Sequence, residues 1–121
     1  MGRDKPRGFR RLVMAFVYSW QGLCSAWREE SAFRQELALS LLAVPAALYF
    51  GRNGLERAAL IAPVFLILIV ELLNSSIEAI VDRVGTDPHP LAGIAKDMGS
   101  AAVMLSFLLL GGVWLLILID R

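Results

Sequence analysis

The stretch that decides the fold runs from Ile67 to Gly85, ILIVELLNSSIEAIVDRVG. It opens as a membrane-grade apolar run and then places Glu71, Asn74, Glu78 and Asp82 along a helix. At 100° per residue, Glu71 and Glu78 lie about 20° apart around the axis and roughly 10 Å apart along it. Asp82 falls on the same stripe, with Asn74 and Ser75 flanking it, and the intervening side chains are almost all apolar. A carboxylate near lipid depth costs several kcal/mol unless it is hydrated, paired or metal-bound, so the stripe reads as functional. The plainer alternative is a helix emerging into water with its carboxylates solvated. That fits Asp82 well, Glu78 less well and Glu71 poorly, because the uncharged run Ala58–Val70 leads directly into Glu71.

Working outward, the 22 residues from Met98 to Ile119 carry no charge. A helix of that length spans a hydrocarbon core of about 30 Å. Ala58–Val70 supplies 13 apolar residues before the stripe, and Leu37–Phe50 supplies 14 uncharged residues, all but Ser40 apolar, after the mixed segment SAFRQE. Neither of these two is expected to pass a strict hydropathy threshold alone. Each becomes a span if its polar end faces protein or headgroups. Pro45 lies inside the first, where neighbouring helices compensate for its missing hydrogen bond. The separators are GRNGLER (Gly51–Arg57), with the turn dipeptide Asn53-Gly54, and a polar loop over Asp82–Gly93. Three transmembrane helices are therefore expected.

Seven of the twelve Lys and Arg residues lie in the first 36 positions: Arg3, Lys5, Arg7, Arg10, Arg11, Arg28 and Arg34. Under the positive-inside rule this favours a cytoplasmic N-terminus and a cytoplasmic Asp82–Gly93 loop. No cleavable signal peptide is evident, so the spans are expected in the mature protein. Phe9, Leu12, Val13, Phe16, Val17, Trp20, Leu23, Cys24 and Trp27 form an amphipathic helical stripe. With Arg on the opposite faces, it predicts an interfacial helix on the cytoplasmic leaflet. The alternative, a soluble helix packed on a core, lacks a soluble domain to pack against. The expected organisation is a single domain: 1–31 as basic N-terminus and interfacial helix, 32–121 as the transmembrane bundle.

The chemistry available is limited. The lone Cys24 excludes an internal disulfide and a multi-cysteine zinc site. No Walker A loop and no G-x-G-x-x-G occurs. Hard oxygen ligands without His or Cys suit Mg²⁺, which takes one or two carboxylates plus phosphate oxygens. A carboxylate deeper than the metal ligand suits a general base acting on a hydroxyl at the bilayer surface. GIAKDMGS (Gly93–Ser100) adds Lys96 and Ser100 on one helical face, where the last span enters the membrane. By itself that segment also reads as an ordinary interfacial Lys-Asp pair. Gly99–Ala102 and Gly111-Gly112 are small-residue patches that allow close helix packing in lipid.

Taken together, these blocks resemble the prokaryotic integral-membrane diacylglycerol kinase family, from about Phe9 to Trp114. ELLNSSIEAIVDRVG is similar to the signature E-x-x-N-[ST]-x-x-E-x-x-x-D, supported by YSWQGL, AFRQE and HPLAGIAKDMGSAAV. YSWQGL and DMGSAAV are closer to the diacylglycerol-using, Gram-negative branch than to its undecaprenol-phosphorylating relatives. The chain departs from the pattern at Phe16, Val17 and Pro88. The resemblance implies an all-α membrane protein with a surface helix and three transmembrane helices, assembled as a homotrimer in the bacterial inner membrane. It implies Mg²⁺- and ATP-dependent phosphorylation of diacylglycerol to phosphatidic acid, with membrane lipids and no nucleic acid as partners.

Residue by residue, the resemblance implies Glu71 as the base, Asn74 as its support, and Glu30 and Glu78 as metal ligands that also face the nucleotide. Arg11, Tyr18, Asp87, Pro88, His89, Lys96 and Asp97 would contact the nucleotide. Ala32, Phe33, Arg34, Gln35, Glu36, Arg57, Ser100 and Trp114 would join Glu71 in lining the lipid-substrate region. Two other readings of the pattern remain: a small proton-coupled multidrug exporter, and a non-catalytic membrane subunit. The exporter would need four spans. Lys96, Asp97 and Glu30 would be superfluous in a packing subunit.

Overall fold

A computed structural model describes residues 7–121; Arg3 and Lys5 lie outside the described residues. The chain is all helical there: α1 (Gly8–Glu29), α2 (Ser31–Phe50), α3 (Gly54–Val84) and α4 (Pro90–Ile119). α3 packs most extensively against α4 and next against α2, while α1 touches the bundle chiefly through α2.

α3 and α4 are long and apolar enough to cross a membrane. The expectation that the α3 segment would fall short of a hydropathy threshold is therefore corrected, because its apolar run extends unbroken into the helix carrying the stripe. α2 is not among the helices that pass, since Arg34, Gln35 and Glu36 occupy its first turns. Its 20 residues nevertheless reach about 30 Å. The loop expected over Asp82–Gly93 is shorter. α3 continues through Val84 and α4 starts at Pro90, so only Gly85–His89 connects them. Proline at the first helical position needs no N–H there, and His89 Nδ1 accepts the Leu91 N–H at 3.1 Å as the N-cap.

Each joint has an identifiable cause. α1 and α2 are separated by Glu30 alone, in extended conformation. The Arg34 guanidinium spans this corner, donating to the carbonyls of Trp27 at 2.7 Å and Arg28 at 3.2 Å, which α1 leaves without intrahelical donors. Between α2 and α3, Asn53 Oδ1 accepts from the Glu56 N–H at 2.9 Å, and Glu56 Oε1 accepts from the Arg52 N–H at 3.0 Å. This is a variant of the reciprocal capping box. Arg57 Nε donates to the Leu48 carbonyl at 3.2 Å, and Arg121 reaches both Phe50 O and Glu56.

The buried residues of α3 are Leu60, Pro63, Val64, Ile67 and Glu71. Their three- and four-residue spacing makes one stripe, and Glu71 continues it. The carboxylate stripe is thus the extension of the core face of α3, directed at α2 and α4 and away from lipid. The outward faces of α4 keep Leu105, Leu108, Leu116 and Ile119 exposed in the single chain.

Candidate active site

Burial along the stripe is graded. Glu71 is 6% exposed, Asn74 and Glu78 are half-buried, and Asp82 is exposed. A helix that leaves the core end-on produces this gradient, and it brings carboxylates from water to apolar depth over about three turns. Glu71 meets Glu36, which reaches it from the second turn of α2, side chain to side chain. Glu30 and Glu78 are its other charged neighbours. Glu36 Oε2 is buried without a hydrogen-bond partner. Glu36 and Glu71 in contact, with Glu30 and Glu78 acting on Glu71, concentrate negative charge where uncompensated buried charge is costly.

Asn74 occupies the level between the two glutamates. Its Nδ2 donates to Glu78 Oε1 at 3.4 Å, a long contact. This amide donates to Glu78 and not to Glu71, the partner the resemblance implies. Asn74 Oδ1 is buried without a donor and faces Gly99 on α4.

Lys96 Nζ lies 2.9 Å from Asp82 Oδ1, across the helix pair, so its ionic partner is Asp82 and not the adjacent Asp97. Lys96 stands in the polar first turns of α4, outside the uncharged run. The hydrogen bond and charge of Asp82 hold its ammonium above the usual lysine range. Val81, Asp82, Thr86, Asp87, His89 and Lys96 line a cleft of about 380 Å³ at this end of the bundle. Pro88 is in the same cleft, while Asp97 is exposed one residue further along α4. α1 and α3 border a second groove of about 600 Å³, lined by Glu29, Glu30, Ser75 and Ser76 among others. Tyr18 is half-buried on α1, next to Ser19 of that groove. Arg11 is exposed 19 positions before Glu30, roughly 28 Å along α1.

The residues expected around the lipid substrate divide between two levels. Ala32, Phe33, Arg34, Gln35 and Glu36 form the start of α2 at the Glu71 end, and Ser100 follows Gly99 beside Asn74. Arg57 lies 14 positions before Glu71, roughly 21 Å down α3. Trp114 belongs to that far level, its Nε1 donating to the Leu60 carbonyl at 3.0 Å. Arg34 and Arg57 spend hydrogen bonds on carbonyls at helix ends, and Trp114 spends one on a carbonyl inside α3.

Among the described residues no three acidic, His or Cys side chains converge as a ready metal site. Two carboxylates, Glu30 and Glu78, both acting on Glu71, still fit Mg²⁺, which retains waters and takes phosphate oxygens for its remaining positions. The Glu36–Glu71 contact and the Gly99–Asn74 seat were not among the sequence expectations. Both cross between helices, and only the small-residue patch at Gly99 hinted at close approach.

The model of the prokaryotic diacylglycerol kinase family matches residues 17–118. The chain is 49% identical to the diacylglycerol kinase of Escherichia coli strain K12, over 95% of this chain and 94% of that protein. It is 49% identical to that of Helicobacter pylori strain 26695, over 91% and 86%, and 46% identical to that of Pseudomonas aeruginosa, over 93% and 91%. With the family signature on the core face of α3 and the match running through all four helices, the chain belongs to the prokaryotic diacylglycerol kinase family.

Proposed function

We propose that this chain is an ATP-dependent diacylglycerol kinase in which Glu71 acts as the base. The supporting observation is the position of Glu71: a carboxylate 6% exposed on the core stripe of a membrane-length helix, below a stripe that opens to water at Asp82. A diacylglycerol presents a single hydroxyl at that depth without leaving the bilayer. Glu71 takes the hydroxyl proton as the oxygen bonds to the γ-phosphorus. The bond from that phosphorus to the bridging oxygen breaks, and ADP departs. Phosphoryl transfer depends chiefly on positioning and charge neutralisation, which is the service the surrounding groups offer.

Glu30 and Glu78 would hold Mg²⁺, which when bound neutralises charge on the phosphates. Asn74 orients Glu78. Lys96 exchanges Asp82 for phosphate oxygens in the cleft with Asp87, Pro88 and His89, Asp97 contacts the nucleotide from the cleft's edge, and Arg11 and Tyr18 of α1 close over it. Ala32–Glu36 and Ser100 surround the glycerol end of the lipid, and Arg57 and Trp114 border the acyl chains. α2 completes three spans, with α1 on the cytoplasmic leaflet of a bacterial inner membrane and the N-terminus inside. The exposed α4 face associates copies into a homotrimer.

The test is phosphatidate formation by purified protein in lipid with MgATP, comparing diacylglycerol, ceramide and undecaprenol. Mg²⁺-dependent phosphatidate with diacylglycerol preferred is expected. No product above background would remove the reading, and preference for undecaprenol would reassign the acceptor.

A further inference from the structure

Gly99 is buried where α4 crosses the stripe of α3. A Cβ built on it would stand 3.2 Å from Asn74 Cγ and would overlap Oδ1, inside the 3.0 Å that Cβ atoms essentially never breach. The other glycines of α4, Gly93, Gly111 and Gly112, have nothing within 4 Å of such an atom. The close approach is therefore particular to Gly99 in this helix. It also settles the Asn74 amide. With Oδ1 seated against the glycine and no donor in reach, Nδ2 is left facing Glu78 at 3.4 Å. The reverse setting would turn the amide oxygen toward Glu78 Oε1, two acceptors with no hydrogen between them, and lose that bond.

We propose that Gly99 is a positioning residue for the carboxylate stripe: its missing side chain seats Asn74 so that the amide holds Glu78. Any side chain at 99 displaces Asn74, and the simplest relief, rotation of Asn74, surrenders the contact to Glu78. The proposal rests on the reading of Glu78 as a metal-binding carboxylate. Groups that orient metal ligands typically influence metal affinity or turnover by about 10–100-fold.

The test uses the full chain in lipid, with Mn²⁺ alone as the probe, followed by electron paramagnetic resonance and joined to phosphatidate assays. Gly99→Ala should weaken Mn²⁺ binding by about tenfold and lower kcat by at least as much. The diacylglycerol KM should stay within about twofold, because the substitution acts through the metal ligand. Gly111→Ala should leave both readouts near wild type. In an Asn74→Ala background, Gly99→Ala should add less than about a twofold effect, since coupled residues are non-additive. If Gly99→Ala does not fold, the double variant should recover folding, because the overlapping amide is gone. Full additivity, wild-type Mn²⁺ affinity in Gly99→Ala, or a double variant that stays unfolded would each overturn the proposal. Glu78→Gln separates the two levels. If it weakens Mn²⁺ binding while Gly99→Ala does not, only the positioning role fails. If Glu78→Gln leaves Mn²⁺ binding unchanged, the metal reading fails and takes the proposal with it.

Discussion

Trp114 of α4 donates its indole N–H to the backbone carbonyl of Leu60 in α3, at 3.0 Å. Leu60 is fully buried, and the bond lies beside Pro63, which has no N–H to offer the carbonyl of Ala59. A side chain bonding to main chain at this level fixes the α3–α4 register that also places Gly99 against Asn74 and Lys96 against Asp82. Trp114→Phe keeps the ring and loses the donor. It should cost about 1 kcal/mol in unfolding assays in mixed micelles, with the diacylglycerol KM within about twofold. A large rise in KM with unchanged stability would assign the indole N–H to the substrate and not to the α3–α4 register.

Glu71→Gln removes the proposed base while keeping the shape of the side chain. Turnover should fall by about 10²–10⁴-fold, the usual contribution of general acid–base catalysis. Stability should hold or rise, because a buried carboxylate beside Glu36 is replaced by a neutral amide. Phosphatidate assays and unfolding curves on the same preparation check both. Near-wild-type turnover would exclude Glu71 as the base.

The architecture and the stripe were legible in the sequence because they are local. The α1 periodicity, the uncharged run of α4 and the seven-residue spacing from Glu71 to Glu78 need only one helix at a time. Register between helices was not legible. Nothing within α2 announces that Glu36 meets Glu71, and Lys96 beside Asp97 invited a local pair where the fold places Asp82 in reach. The same limit applied to Arg34 and Arg57, whose carbonyl partners exist only once helix ends are in place.

Glu78 is half-buried one turn above Asn74 and accepts its amide. Glu78→Gln should raise the Mg²⁺ concentration for half-maximal activity by about tenfold or more. The diacylglycerol KM should change less than twofold. Mg²⁺ titrations at saturating ATP and lipid measure this directly, and an unchanged requirement would contradict the role.

Arg34 joins α1 to α2 through two carbonyls of the last turn of α1. Arg34→Ala leaves both without that donor and should cost about 1 kcal/mol of stability, with Arg34→Lys recovering part of it. Limited proteolysis should then cut at the Glu29–Ser31 junction faster than in the wild type. An Arg34→Ala protein with wild-type stability and an impaired diacylglycerol KM would remove the corner clamp and leave Arg34 only its place beside the lipid.

α1 keeps Phe9, Leu12, Phe16, Trp20 and Trp27 exposed in the single chain, with Trp20 at 68% and Trp27 at 50%. A stripe this apolar does not remain in water, and aromatic residues with flanking Arg are the composition of an interfacial helix. In a Trp114→Phe background only Trp20 and Trp27 emit. Their fluorescence in vesicles should be blue-shifted and quenched most strongly by lipids brominated near the headgroup. Quenching should weaken as the bromine moves toward the bilayer centre, because a helix lying in the interface is buried only about 5–10 Å. Emission at the position of water-exposed tryptophan, insensitive to brominated lipid, would place α1 off the membrane. It would also remove the surface that is proposed to bring Arg11 and Tyr18 over the nucleotide.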